Sequence, residues 1–423
     1  MKKYTFFVLS FWSFLFPLIG LAQGLGKSPY SYFGVGDIQD GSFAANQQMA
    51  NAGVSYSNGL GVNGLNPALV ARNKYTTYEV GAHGMYKKIS EGGTYQRDFG
   101  ASINYLALAF PISKKISTSL QYIPYTIVDY ENNDYRFIPN TTTYAHYTYK
   151  GTGGLNKVAW SNGIQVGKNL HLGLETSYIF GAIDRESISR LTLNDGQDYE
   201  ITLLDRTNHG DFRFKLGTAW RQKISTDLFL TIGGTYDMKS QFSATRNRVL
   251  TTKVGGQILG LNPADTIAKK IEGNIVVPGG YRLGLTLDMP FKFAITADYG
   301  VQQWSKYRNV EGFTGELRDS KVFAIGAEYL PNFNALKGFL KITTYRIGFN
   351  QTQTQYIVNG LGINDRSFSA GVGFPLGSNR VSMANLGVAV GTRGVNGPIK
   401  EDYVKFTLGF SLLDNWFQKY KLD

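Results

Sequence analysis

The sequence predicts an all-β protein: a transmembrane antiparallel β-barrel of about 14 strands with an N-terminal plug inside the lumen. Three observations predict it. Hydrophobic residues recur at every second position from Tyr75 almost to the C-terminus. No long apolar helix follows the first 22 residues, and the 423-residue chain is rich in Gly (50), Tyr (27) and Phe (27). A period of two puts the apolar side chains on one face of a strand. Inside a bilayer only helices and closed barrels satisfy every backbone group, and here the helices are missing.

The elements follow in chain order. Lys2 and Lys3, the apolar run 4–21 and the small residues around Gly20-Leu21-Ala22 read as an export signal over residues 1–22. An uncleaved anchor is the competing reading, but the apolar run is short for a span. The absence of Cys excludes disulfides and a lipid-modified N-terminal cysteine, so attachment to a membrane must come from the fold.

Residues 23–74 lack the period of two and carry Ser28–Asp37 (SPYSYFGVGD), Ala44–Gly53 and the Gly/Asn-rich run Gly59–Ala71. The stretch is too apolar for a free tail and too irregular for a wall. It is expected to be a plug, where non-helical backbone is tolerated because protein surrounds it.

The wall is expected over 75–413, with strands near 75–88, 98–112, 115–131, 143–167, 170–190, 198–222, 226–245, 280–289, 291–305, 320–330, 338–350, 366–375, 381–393 and 402–413. Tight connections such as Gly167–Asn169 and Met289–Phe291 alternate with long ones at Asn132–Thr142, Arg246–Gly279, Glu311–Asp319 and Gln351–Asp365. Short periplasmic turns and longer external loops are the pattern of outer-membrane barrels. Tyr and Phe near strand ends fit aromatic girdles. The aromatic-bearing strand Val404–Leu413 resembles a terminal assembly signal, and 414–423 is expected as a short periplasmic tail.

The formal charge is +12, two units of which belong to Lys2 and Lys3. The basic residues are scattered through turns and loops, so anionic headgroups of outer-membrane lipid are the expected partner rather than nucleic acid.

Nothing argues for catalysis, a metal or a cofactor. His83, His146, His171 and His209 are far apart in sequence, and no Gly-x-Ser-x-Gly elbow occurs. Gly59–Gly64 matches G-x-G-x-x-G without the βαβ setting a dinucleotide needs. Asp129, Glu131, Asn132, Asn133 and Asp134 have the composition of a calcium loop, but a solvated outer loop is the preferred reading.

Several segments resemble the FadL/TodX family of outer-membrane barrels, which carry hydrophobic molecules. They are Asn66-Pro67-Ala68 before the first strand, Val277–Gly284, Ala297-Asp298-Tyr299 with Gln303–Tyr307, and Tyr345-Arg346-Ile347-Gly348-Phe349. The opening SPYSYFGVGD and the closing residues 396–423 look more like the Bacteroidota branch, which includes PorV-like barrels that bind protein partners.

The resemblance implies passive transport of a long-chain fatty-acid-like ligand, gated by the plug. Capture is expected at the long loop with Leu259, Leu261 and Ile267, followed by passage near Tyr30, Tyr32, Phe33, Asn66 and Pro67. Gly151, Gly153 and Gly154 are a candidate lateral gate, or an ordinary bulge at the outer rim. The alternative is a non-transporting barrel that serves a protein partner in secretion or outer-membrane assembly.

Overall fold

The computed structural model describes residues 24–139, 143–192, 197–259, 265–313, 317–377, 380–395 and 398–414. The expected export signal and all but the first residue of the expected tail lie outside them.

Fourteen antiparallel strands close into a barrel. The wall runs β2 (Thr76–Glu91), β3 (Thr94–Pro111), β4 (Ile116–Phe137), β5 (Tyr144–Val166), β6 (Leu170–Thr192), β7 (Asp198–Lys223) and β8 (Phe229–Asp237). It continues through β12 (Gly280–Met289), β13 (Phe293–Gln302), β14 (Ser320–Tyr329), β15 (Thr344–Val358), β16 (Leu361–Leu376), β17 (Ser382–Arg393) and β18 (Ile399–Asp414). The last strand pairs with the first over its whole length, from Ile399 opposite Glu91 to Asp414 opposite Thr76. Between β3 and β4 pairing is confined to Leu106–Pro111 opposite Ser117–Tyr122; above it the N-terminal segment borders both strands, with Gly24 bridging Ala101 and Asp37-Ile38 pairing with Thr126-Ile127.

Two wall strands are interrupted, which the sequence reading missed. β9 (Ser240–Val254) prolongs β8 beyond Met238-Lys239, and β11 (Asp265–Val277) leads into β12 across Pro278-Gly279. β7 bridges the break by pairing with both β8 and β9. Proline has no N–H for the ladder, and a side chain at Gly279 would meet the Asp237 carbonyl oxygen at 2.8 Å.

The expected loop Arg246–Gly279 is therefore largely a paired hairpin, with the two-residue strand β10 (Gln257–Ile258) against β9 at its tip. Gln351–Asp365 is likewise a hairpin, turning at Asn359-Gly360. These stretches are long enough to keep pairing beyond the girdle, so they need no loop.

The barrel is inside-out relative to a soluble protein. Leu283 (57 %), Leu285 (51 %) and Ile295 (49 %) are exposed on the outside, while Thr286 (0 %), Thr296 (1 %) and Asp298 (2 %) are buried on the lumen side. A spanning strand needs about 9–11 residues. β12, β13 and β14 have 10 each, whereas β7 has 26. One side of the wall thus rises far beyond a bilayer.

Residues 24–73 lie within the lumen and descend from the long-hairpin end to the short-turn end. Gly24 bridges Ala101, and the two-residue strand β1 (Asp37–Ile38) pairs with β4. The helix Ala44–Gln48 lies on β15 to β18, and the turn Pro67–Arg72 lies on β4 to β7. Wall glycines make the seat. A Cβ at Gly173 would fall 2.2 Å from the Ala68 nitrogen, and one at Gly348 would fall 2.3 Å from the Met49 carbonyl carbon. Such approaches are open only to glycine.

Candidate functional site

At the long-hairpin end a cavity of about 840 Å³ opens between the N-terminal segment and β3, β4 and β5, lined by Tyr30, Tyr32, Phe33, Tyr130 and Tyr149 among others. Pro29–Tyr32 is a 3-10 turn with proline at its start, which fixes the entry angle and aims consecutive aromatics to different sides. Tyr32 meets Tyr130 edge-on with centroids 5.5 Å apart, and Phe33 meets Tyr32 at 5.4 Å. Tyr30 stacks on Tyr356 at 5.8 Å and donates its hydroxyl to the Ile399 carbonyl. Its burial pushes the phenol pKa well up. Lys27 and Glu131 pair at 2.5 Å at the rim of this mouth.

Beneath the mouth lies an apolar layer in which Val35, Leu155, Ile179, Phe242, Trp304 and Leu317 are buried together, with Phe33 packed against it. Trp304 and Tyr307 come from the short helical turn after β13, which folds in over the low side of the wall. Burial there pushes the Tyr307 phenol up to about 12.

Two residues further along β5 the chemistry changes. Lys157 pairs with Glu175 at 3.1 Å, and Arg213 lies 3.5 Å from Asp237. They line a polar cavity of about 290 Å³ that also touches Asp37 and Arg393. Arg393 donates to both Asp37 carboxylate oxygens at 3.2 Å and also faces Asp365 and Glu401. Burial, the largest single influence, raises the Asp37 pKa; the charges of Arg393 and Lys87 and the hydrogen bonds from Arg393 and Tyr356 together outweigh it and hold the carboxyl below its usual 3.8.

The N-terminal segment is fastened at both lower corners. Asp298 accepts from the backbone N–H of Gly53 and Val54 at 2.9 and 3.0 Å. Arg346 donates to Gln48 at 2.8 Å and to Glu328 at 2.7 Å. The Asn66 amide donates to the carbonyls of Val54 and Thr218 and caps Ala68. Near this end burial and the neighbouring Arg221 lower Arg72 to about 10. Gly64 of the G-x-G-x-x-G run packs on the Phe43 ring and the Gly41 carbonyl oxygen.

The structure thus brings Tyr30, Tyr32 and Phe33 together at the mouth. Asn66 and Pro67 sit at the opposite end of the lumen, against Gly217 and Gly173. Leu259 is exposed near the tip of the tall hairpin. Leu261 and the Ile267 side chain lie outside the described residues. A Cβ at Gly151 would collide with the Tyr130 ring at 2.0 Å, so Gly151 makes room for a mouth aromatic.

Gly153 and Gly154 have φ of +103° and +142°, and Gly181 on β6 has +154°. They kink the wall beside Leu155 and Ile179 of the apolar layer. Pairing with β4 and β6 continues through the kink, so the wall is closed there. Sequence reasoning missed Tyr130, Tyr356 and Arg393. Alternation assigns each a face but names no partner.

Solved structures share this architecture. The match to a Pseudomonas aeruginosa FadL homologue has a TM-score of 0.59 at 13% identity, covering 89% of this chain and 99% of that one. The P. putida toluene transporter TodX matches with a TM-score of 0.58 at 15% identity, over 89% and 100%. The CymD monoaromatic hydrocarbon channel matches at 0.56 and 13%, over 89% and 98%. At these identities the likeness establishes the barrel fold of FadL/TodX-type outer-membrane channels. No curated protein matches the sequence. The sequence model of the BamG family, however, matches residues 1–423, and the chain belongs to that family.

Proposed function

We propose that the protein passes hydrophobic small molecules at the outer membrane, taking them in at the aromatic mouth and releasing them sideways into the bilayer. In this reading residues 1–22 export the chain, 23–74 plug the barrel 75–413, and 414–423 trail into the periplasm. One observation carries it. The aromatic mouth is continuous with the apolar layer, and that layer ends on the kink at Gly153, Gly154 and Gly181.

An alkyl or aromatic ligand gains about 25 cal/mol per Å² on leaving water, so mouth and layer form a downhill path. Further descent would put the ligand among Lys157, Glu175, Arg213 and Asp237. Separating a buried ion pair costs about 3–5 kcal/mol, so straight passage is disfavoured and a sideways exit is the cheaper route. The kink has to open for release, and transport is passive. Equilibrium binding of a labelled long-chain fatty acid tests the first step. Saturable binding weakened by Phe33→Asp supports capture; binding that ignores this change contradicts it.

A second reading is favoured by the ion-paired lumen and the firmly seated N-terminal segment. The barrel then serves as a PorV-like docking platform for a protein of secretion or outer-membrane assembly, engaged by the tall hairpins β6–β7 and β9–β11. A stoichiometric protein partner co-purifying with a lipid-free barrel would favour it over transport.

A further inference from the structure

The excess positive charge of this chain is segregated to one end of the barrel. At the short-turn end there are six connections between wall strands, and each carries or adjoins a basic residue. In order around the wall these include Lys115, Lys168, Lys223, Lys292, Lys337 and Arg380, with Asp227 the single acidic residue among the six connections. All but Arg380 are exposed. The connections at the opposite end balance Lys306, Arg308 and Arg318 against Asp195, Glu311, Glu316 and Asp319. The tall walls at that end hold their charges in pairs such as Arg190–Glu200 and Arg246–Asp205.

The longest of the six connections, between β14 and β15, adds an apolar foot. Its Leu336 is 92 % exposed and its Leu340 69 %. Phe339, in the short helix Phe339–Ile342, stacks at 5.2 Å on Phe374. Phe374 has the outward parity of Phe368 on β16, so the foot reaches the lipid-facing side of the wall. Lys337 and Lys341 flank the exposed leucines.

We propose that this end is a phospholipid-binding collar: the basic ring holds anionic headgroups of the inner leaflet, and Leu336 and Leu340 dip into that leaflet beside the barrel. The distribution decides for lipid over a protein partner. Charge spread round the whole circumference matches an annular surface, whereas a docked protein would need it concentrated on one sector. Lysine stems lie along apolar surface while their ammonium groups reach the headgroups. Apolar residues flanked by lysines are suited to the interface. The short turns face the periplasm in bacterial barrels, so the leaflet concerned is the phospholipid one. The proposal rests on the barrel lying in a bilayer and is independent of what it transports.

The test uses the full chain reconstituted in phosphatidylethanolamine bilayers containing a minor fraction of phosphatidylglycerol. Spin-labelled lipids report the relative association of the two headgroups. The expected result is a preference for phosphatidylglycerol on the order of fivefold at low salt, collapsing in high salt and lost in a Lys115→Gln, Lys168→Gln, Lys223→Gln, Lys292→Gln variant. Because the chain has no Cys, nitroxides at Leu336→Cys and Leu340→Cys report the foot directly, and both should be oxygen-accessible and shielded from an aqueous relaxant.

Equal association of the two lipids by the unaltered protein would overturn the collar, as would a preference that survives the fourfold change or labels that sit in water. An acidic protein retained through the same lysines would replace it with a protein interface. Failure to insert into any bilayer would instead sink the barrel reading itself.

Discussion

Arg393, on the last residue of β17, grips Asp37 of the lumenal strand β1 through both carboxylate oxygens at 3.2 Å. The contact ties the wall to the N-terminal segment at the level where the apolar layer gives way to ion pairs. Arg393 also faces Asp365 and Glu401, so it balances three carboxylates, Glu401 buried and the two aspartates partly so. Replacing Arg393 by Leu strands them, and loss of one partner from a buried pair costs about 3–5 kcal/mol. Limited proteolysis should then cut between residues 24 and 41 while heat-resistant barrel mobility on gels persists. An uncut segment would show that the clamp is dispensable.

The seat of that segment makes a second prediction. Gly173 and Gly348 approach its backbone so closely that a methyl group cannot fit without displacement. Overpacking of this kind costs about 1–3 kcal/mol. Gly173→Ala and Gly348→Ala should lower the thermal midpoint and increase deuterium exchange at Met49 and Ala68. A matching change at Gly92, which has nothing within 4 Å, tests φ strain without crowding and should leave both amides protected.

Tyr32 stands half-exposed at the mouth, edge-on to Tyr130. Its removal leaves the core intact but deletes an aromatic contact of about 0.5–1.5 kcal/mol. Tyr32→Ala is expected to weaken binding of a hydrophobic fluorophore by roughly two- to tenfold, measured by titration of the detergent-solubilised protein. Unchanged affinity would place the ligand elsewhere.

The outer face gives a depth-dependent prediction. Leu283 lies mid-strand on β12 and is exposed on the outer face of the wall. An arginine there should cost about 2–4 kcal/mol, read as a shift in the urea midpoint for refolding into vesicles. Little or no shift would mean that this face meets water.

Much of this architecture was legible from one periodicity. Tyr281, Leu283 and Leu285 alternating with Arg282, Gly284 and Thr286 assign an outside and an inside, and the same rule applied along the chain yields the observed number of wall strands. The rule stops where pairing outruns the membrane. Residues 246–279 read as a long loop, yet most of the stretch pairs as the hairpin of β9 and β11.

The site was legible in part. The family resemblance names Tyr30, Tyr32 and Phe33 as passage residues, and the structure places them together at the mouth. Asn66, Asp298 and Arg346, which carried the family resemblance, all prove to fasten the N-terminal segment. The roles of Gly173 and Arg393 depend on residues about 100 to 350 positions away, a separation that local pattern reading cannot bridge.

The central claim is that the first and last strands join to close a wall with its greasy side outward. Val80 on β2 and Phe410 on β18 are directly opposed in that seam. In this cysteine-free chain, Val80→Cys with Phe410→Cys should form a disulfide on mild oxidation in a detergent-extracted or membrane-embedded protein, giving a faster-migrating ring after denaturation. Reduced cysteines in a folded protein, or a polypeptide that stays dissolved without detergent, would contradict it.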